Sequence, residues 1–226
     1  MPVRKTLPPY LKPRDEVAII SPAFAIDGDK IESAVKVLES WDLKVHVGKH
    51  ALKRNGPFAG TDRERISDFQ KVTSDPAVKA VLCSRGGYGM MRIIDRIDFS
   101  PLKRSPKWYA GYSDITVLHM WLSEKCRMIS LHGEMPLNYA NSEKSPETLE
   151  SLRQALFEGC GEVKWNGRFL RKAEAEGEVT GGNISLVYSL SGTPAEPDTS
   201  GKILFLEDTG EYFYHLDRMM MSLKLA

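Results

Sequence analysis

Two hydrophobic patterns alternate over the first two thirds of the chain. Short apolar runs such as "VAII" and "VLC" are typical of buried strands. Between them, apolar residues recur every three or four positions, as on one face of a helix. The clearest stripe is formed by Ile31, Ala34, Val35 and Leu38. The alternation predicts repeated strand–helix–strand units, and therefore a doubly wound, mainly parallel α/β sheet with helices on both faces.

The pattern places each element in order along the chain. It predicts five strands, at residues 16–21, 43–47, 78–84, 107–111 and 127–133. Helices are predicted at 29–41, from Thr61, after the "RGGYG" segment and at 114–124. Thr61 and Glu64 match a capping box, and Met90, Ile93, Ile94 and Ile97 would share one face of the helix after "RGGYG".

A second, smaller unit follows a polar stretch. We assign residues 1–140 to an N-terminal α/β domain, 141–165 to a linker region and 166–226 to a smaller C-terminal α/β domain. Ser145 and Pro146 would open a helix that closes near Gly159. The last helix shows neither a glycine nor a proline stop signal, and its stripe Met219, Met220 and Leu223 lacks a partner. We therefore expect the second domain to be incomplete.

Composition excludes several classes of function. The 226 residues carry 31 basic and 30 acidic side chains, a formal net charge of +1, which gives no electrostatic case for nucleic acid or an anionic membrane. No segment approaches the roughly 20 apolar residues of a membrane span, and no secretory signal precedes the first prolines. Three scattered cysteines argue against disulfides or zinc. We expect a cytoplasmic protein without metal or cofactor.

The stretch "WYAGYSDITVLHMWL" places Ser113 between a predicted strand and a predicted helix. A tight strand-to-helix turn is how a nucleophilic serine is exposed, and the next backbone N–H, that of Asp114, can stabilise an oxyanion. The segment does not match G-x-S-x-G, because Ile115 occupies the second glycine position. A helix N-cap at Ser113 or Asp114 explains the local sequence equally well.

The segment "SRGGYG" also follows a strand. Paired glycines such as Gly86 and Gly87 let a backbone approach closely and aim its N–H groups at an anion. The spacing matches neither a P-loop nor G-x-G-x-x-G, so a nucleotide site is not indicated. Arg85 and Tyr88 are candidate substrate-binding residues. Arg85 precedes the glycines and could contact a ligand of this loop, or it could brace the loop internally.

A carboxylate at a strand end can orient a catalytic histidine. Glu207 in "FLEDTGE" has that position, with Glu211 as its rival. No histidine is a convincing general base. His46, His50, His119 and His215 lack catalytic context, and only His132 lies at the sheet edge that carries Ser113.

Six segments together resemble the LD-carboxypeptidase family of serine peptidases, which includes the microcin C self-immunity peptidase. They are "VAIISPA", "SRGGYGMMRIID", "GYSDITVLH", "LHGEMP", "GGNISLVYSLSGTP" and "KILFLEDTGEYFYHLDRMM". They occur in the family's order and span nearly the whole chain.

The resemblance implies a Ser-Glu-His triad with Ser113 as nucleophile and Glu207 as the acid. The oxyanion hole would be formed by the N–H of Asp114 with that of Gly86 or Gly87. The implied reaction removes the terminal D-alanine from a murein tetrapeptide during cytoplasmic cell-wall recycling. It needs no metal, and the family's members are commonly homodimers.

One departure from the family matters for activity. The family's triad histidine lies beyond the "DRMM" helix, and none of the five histidines matches its position. We therefore expect the chain, taken as a truncated form, to be nearly inactive. The alternatives are a self-immunity-type peptidase and a non-catalytic muropeptide-binding protein.

Overall fold

Five parallel strands form the central sheet of the computed structural model, which describes residues 4–140, 146–162, 164, 167–168, 170–171 and 173–226. The strands are β1 (Glu16–Ile20), β2 (Lys44–Val47), β3 (Val78–Cys83), β4 (Trp108–Gly111) and β5 (Leu131–His132). Their order across the sheet is β2-β1-β3-β4-β5. The predicted fold class is confirmed.

The helices follow the predicted alternation. They are α1 (Gly28–Ser40), α2 (Asp62–Ser74), α3 (Thr116–Cys126), α4 (Pro136–Tyr139), α5 (Pro146–Phe157), α6 (Ile184–Ser189) and α7 (Phe213–Leu225). The capping box is present at α2, because the Thr61 side chain accepts from the Glu64 N–H and the Glu64 carboxylate accepts from the Thr61 N–H. This reciprocal pairing satisfies two N–H groups at the helix start.

Alternating strand residues divide the core into two layers. Ala18 and Ile20 of β1 pack on one face of the sheet, together with Phe69 of α2 and residues of α3. Val17 and Ile19 pack on the other face, against α1 and α5. Successive strand side chains point to opposite faces, so two helical layers are needed to bury them.

The segment after the glycine loop differs from the prediction. The expected helix there is instead two short 3-10 turns, Met90–Arg92 and Ile94–Arg96. Ile93 between them has φ −126° and ψ −16°, outside helical geometry. The apolar stripe was recognised correctly, since all four predicted apolar residues are buried. The two turns bury Ile93 and Ile94 side by side.

The fifth strand is shorter than predicted. Only Leu131–His132 pairs with β4, whereas the expected strand covered residues 127–133. The backbone groups of residues 127–129 pair with the amino-terminal segment instead. The Thr6 N–H donates to the Arg127 carbonyl at 2.7 Å, and the Thr6 carbonyl accepts from the Ile129 N–H at 3.0 Å.

A second sheet consists of two parallel strands, β6 (Val179–Asn183) and β7 (Ile203–Glu207). Helix α5, which lies inside the predicted linker region, packs its apolar face on the first sheet. In α7 only Met219 of the predicted stripe is buried, and Met220 is exposed. Within the described ranges no helix has the length and apolarity that crossing a membrane requires. Cys83, Cys126 and Cys160 are free thiols.

Candidate active site

Ser113 lies at a strained turn between β4 and α3. Its φ is +61°, in the left-handed region that non-glycine residues rarely adopt. A 3-10 turn, Ser113–Ile115, joins the end of β4 to α3. Such an abrupt strand-to-helix turn directs a serine side chain away from the sheet. The helix-cap interpretation is wrong here, because neither Ser113 nor Asp114 caps the turn or the helix.

Gly86 of the glycine loop packs directly on this turn. A Cβ placed on Gly86 would lie 2.8 Å from the Ser113 Cβ, 2.9 Å from its Oγ and 3.2 Å from the Asp114 backbone nitrogen. Only glycine fits at this position without displacing Ser113. The contact places the Gly86 backbone beside the Ser113 hydroxyl and the Asp114 N–H, and acyl transfer requires a nucleophile and backbone donors gathered in this way.

Gly87, the next residue of the loop, packs against a different neighbour. Gly87 has φ +105°, and a Cβ there would lie 2.4 Å from the Phe24 ring. The loop therefore brings Gly86, rather than Gly87, against Ser113. Tyr88 is 44% exposed, with its ring centroid 6.1 Å from that of Phe58.

The carboxylate of Asp114 holds the far end of the loop. Its Oδ2 accepts a hydrogen bond from the Met90 N–H at 2.8 Å, and the carboxylate is buried. Burial raises the pKa of Asp114, while hydrogen bonds from the Met90 and Gly89 backbone and the charge of Arg65 act in the opposite direction.

Arg85 is half-buried and braces the start of the loop. Its Nη1 donates to the Ala25 carbonyl at 3.0 Å, and its guanidinium carbon lies 5.9 Å from the centroid of the Phe24 ring. The side chain therefore has an internal partner, in agreement with the interpretation that Arg85 braces the loop.

The second sheet brings Glu207 towards the serine turn. Glu207 is the register partner of Asn183, and the Asn183 N–H donates to Thr116 Oγ1 at 3.0 Å. Thr116 is the first residue of α3, three positions after Ser113. A Cβ on Gly182 would lie 2.7 Å from the same Thr116 oxygen, so the sheet and the helix are in close contact.

Glu207 has an unsatisfied oxygen. Its Oε1 is buried without a hydrogen-bond partner among the described residues. Burial, followed by the charge of Asp208, raises the pKa of Glu207, and a hydrogen bond from Asn183 opposes the shift. Its charge in turn contributes to the raised pKa of Tyr112, for which burial is the main cause. A buried, unpaired carboxylate oxygen is costly unless a donor reaches it.

Glu211 is differently placed. Its Oε2 lies 2.8 Å from Nδ1 of His215, one turn further along the chain. The His215 ring centroid is 4.2 Å from that of Tyr214. Glu211 and His215 therefore form a local pair at the start of α7.

Three other histidines have structural partners. His46 pairs with Glu16 and His50 with Asp68. His119 is buried, with Nε2 2.8 Å from the Gly111 carbonyl and Nδ1 2.8 Å from Ser130 Oγ. Because a carbonyl only accepts, Nε2 carries the proton and Nδ1 accepts. Burial lowers the pKa of His119 to about 4.

His132 lies at the end of β5, beside the serine turn. Its ring centroid is 6.1 Å from that of Tyr112 and 5.4 Å from that of Phe205. Burial lowers the pKa of His132. A groove of about 410 Å³ opens between this strand and the second sheet, and His132, Gly181 and Phe205 line it.

Three residues that join these pieces are not among the site residues predicted from the sequence. Thr116 and Asn183 connect the nucleophile helix to the second sheet, and His119 holds the carbonyl at the end of β4. The only signal in the sequence was their position next to the predicted motifs, at an element boundary or one helical turn inside α3.

Sequence profiles assign the two parts of the chain to one family. The LD-carboxypeptidase N-terminal domain matches residues 17–133, and the LD-carboxypeptidase C-terminal domain matches residues 176–226. The chain belongs to the LD-carboxypeptidase family.

Relatives within this family carry peptidase names. The probable murein peptide carboxypeptidase of Bacillus subtilis is 40% identical over 225 residues, which cover 97% of this chain and 70% of the relative. The murein tetrapeptide carboxypeptidase of Pseudomonas aeruginosa is 32% identical, with coverage of 92% and 70%. The chain is thus shorter than these relatives.

Solved structures show the same fold. Muramoyltetrapeptide carboxypeptidase from Oxalobacter formigenes superposes with a TM-score of 0.85 at 32% identity, and the match covers 93% of this chain and 71% of that one. An MccF-like protein from Bacillus anthracis superposes with a TM-score of 0.86 at 25% identity, covering 97% and 76%.

Proposed function

We propose that this chain carries the nucleophile and the acid of a serine-type LD-carboxypeptidase. The enzyme would release the terminal D-alanine from murein tetrapeptides during cell-wall recycling in the cytoplasm. The observation that carries the proposal is the contact between Gly86 and Ser113, which brings the glycine loop against both the Ser113 hydroxyl and the Asp114 N–H. The names of the relatives supply the substrate class.

In the proposed mechanism Ser113 Oγ attacks the carbonyl of the scissile peptide bond. The N–H groups of Asp114 and of Gly86 or Gly87 stabilise the oxyanion. Collapse of this intermediate breaks the C–N bond and releases D-alanine, whose amine takes the proton that left the serine. Water then hydrolyses the acyl-enzyme. Glu207 orients the imidazole that carries the proton.

The proposed mechanism needs a general base, and no histidine in the part of the chain that the structure describes is placed to act as one. None of the five histidines donates a hydrogen bond to Glu207 in the described structure, and four of them have other partners. We propose that the base comes from sequence outside these 226 residues, and that this chain alone is nearly inactive. The orphaned Oε1 of Glu207 is where such an imidazole N–H would bind.

The test compares the natural gene product with the 226-residue chain. D-alanine release from an L,D-linked tetrapeptide is measured with wild-type protein and with Ser113→Ala, alongside calorimetric binding of the same peptide. We expect release from the natural product only, loss of release in Ser113→Ala, and retained binding. Ser151→Ala, an exposed serine on α5, is the matched control. Retained turnover in Ser113→Ala would contradict the proposal.

A second candidate is a self-immunity-type peptidase that cleaves a peptidyl-nucleotide, favoured by the fold similarity to the MccF-like protein. Assaying both substrates side by side separates the two. Binding of muropeptide without cleavage of either substrate would instead indicate a non-catalytic binding protein. We further propose a homodimer, which light scattering coupled to size-exclusion chromatography tests.

A further inference from the structure

Arg65 of α2 is a buried arginine that has no place in the proposed triad. Its side chain is 0% exposed, although arginine is almost never fully buried unless it is paired. Nη2 pairs with Asp62, but Nη1 donates to two backbone carbonyls, those of Pro22 and Gly89. The Gly89 bond, at 2.9 Å, connects α2 to the glycine loop.

The guanidinium lies directly on the backbone of that loop. Gly89 has φ +146°, and a Cβ there would lie 2.5 Å from Nη1 of Arg65. Arg65 therefore both needs a glycine at this position and fixes the direction of its carbonyl. The Phe58 ring, 5.0 Å from the guanidinium carbon, packs on the same group.

Asp114 holds the loop from the opposite side. Its carboxylate accepts the Met90 N–H at 2.8 Å, one residue after the carbonyl that Arg65 binds. Asp114 also follows Ser113 directly, and its own backbone N–H is the proposed oxyanion donor. The charge of Arg65 favours the ionised form of Asp114 against the effect of burial.

We infer that Arg65 and the Asp114 side chain are positioning residues that together hold the Gly86–Met90 segment against Ser113. Arg65 binds the Gly89 carbonyl and Asp114 binds the Met90 N–H. Because these two groups belong to the same peptide bond, the loop has little freedom to move away from Ser113. The inference rests on the proposed function, because it holds that these two hydrogen bonds keep the oxyanion donors in place. Misplacement of a reacting group by about 1 Å can reduce turnover about 100-fold.

Arg92 provides a matched control. It also pairs with Asp62, through Nε at 3.1 Å and Nη2 at 2.9 Å, and it lies 5.4 Å from the Phe58 ring centroid. Only its backbone N–H donates to the Gly89 carbonyl, at 3.2 Å, and a side-chain substitution leaves that bond in place. If replacing Arg65 lowered activity only through its contacts with Asp62 or Phe58, replacing Arg92 should lower activity equally.

The experiment uses the natural gene product and the variants Arg65→Met, Asp114→Ala and Arg92→Met. Steady-state kcat and KM are measured with the tetrapeptide, and the rate of Ser113 phosphonylation is measured with a fluorophosphonate. For Arg65→Met and Asp114→Ala we expect kcat and phosphonylation to fall about 10- to 100-fold with KM changed less than about threefold. Arg92→Met should stay within about threefold of wild type.

Two further variants separate positioning from folding. Asp114→Asn keeps an oxygen that can accept from Met90, so it should recover part of the loss seen in Asp114→Ala. Leu38→Ala removes a buried side chain of α1 on the other face of the sheet. It should destabilise the fold without lowering kcat.

The double variant Arg65→Met/Asp114→Ala should lose less than the product of the single losses, since both residues act on one loop. Wild-type kcat in a folded Arg65→Met, or an equal loss in Arg92→Met or Leu38→Ala, would overturn the inference and leave the proposed function standing. A wild-type protein that neither releases D-alanine nor reacts with the fluorophosphonate contradicts both.

Discussion

Gly86 and Ser113 are packed so closely that no side chain fits between them: a Cβ on Gly86 would come within 2.9 Å of the serine Oγ. Gly86 follows β3, and Ser113 follows β4. These strands are neighbours in a parallel sheet, so their carboxyl ends meet at one edge, where ligands of open α/β sheets bind.

The first prediction concerns this contact. Gly86→Ala should lower kcat of the natural gene product about 100-fold, because the new methyl group would clash with Ser113 and the Asp114 backbone nitrogen and displace both. Turnover of the tetrapeptide measures the effect. Gly28→Ala is the control, since a Cβ there meets only Leu52, at 3.9 Å, and should leave kcat unchanged. An active Gly86→Ala enzyme would contradict this account of the site.

The second prediction concerns the dependence of stability on pH. Burial lowers the pKa of His119 from 6.5 to about 4, so the native state keeps it neutral while the unfolded chain binds a proton below about pH 6.5. The stability that this provides, about 3 kcal/mol, is fully present above pH 6.5 and is lost as the pH falls towards 4.

Urea denaturation of the 226-residue chain between pH 4 and 7.5 measures this effect. His119→Gln is the comparison, because its amide N–H can donate to the Gly111 carbonyl but does not titrate in this range. The free energy of unfolding should fall more steeply with acidification in the wild type. Parallel curves for the two proteins would show that His119 is not the group responsible.

The third prediction distinguishes the two candidate acids. Glu207→Gln should lower kcat by about 10³-fold or more, as expected for the member of a triad that orients the base. Glu211→Gln breaks only the pair with His215 and should remain within about threefold of wild type. Both variants are isosteric, so kcat for tetrapeptide cleavage compares them directly. The reverse ranking would assign the acid to Glu211.

The fourth prediction tests how the second sheet is held. Thr116→Val removes the acceptor of the Asn183 N–H and should cost about 1–3 kcal/mol of stability, because that donor is left without a partner. It should also lower kcat, since Glu207 pairs with Asn183 across the two strands. Thr116→Ser retains the hydroxyl and should recover most of both losses in chemical denaturation and turnover assays.

The fifth prediction tests whether Arg85 binds the substrate carboxylate. Arg85→Ala should raise KM for the tetrapeptide, whereas kcat should change less. Tyr88→Phe keeps the exposed ring and serves as a comparison at the second candidate binding residue. Unchanged KM and kcat in Arg85→Ala would leave only the internal contact with the Ala25 carbonyl as its role.

The sequence predicted the individual elements well where local signals agree with the tertiary structure. The capping box at Thr61 and the apolar runs of β1 and β3 needed no long-range information. The errors occurred where distant residues compete for backbone groups. Asp114 takes the Met90 N–H at the start of the mispredicted helix, and Thr6 pairs with the residues expected to extend β5.

Periodicity and motif order in the sequence by itself determined the parallel α/β sheet, the family resemblance and the candidates Ser113, Gly86 and Glu207. Only the tertiary structure decided that Gly86 contacts the serine, that a Glu207 oxygen has no partner among the described residues, and that Arg65 binds the loop backbone. The physical reason is distance along the chain. Apolar periodicity is encoded within a few residues, whereas the Gly86–Ser113 and Arg65–Gly89 contacts join residues 27 and 24 positions apart.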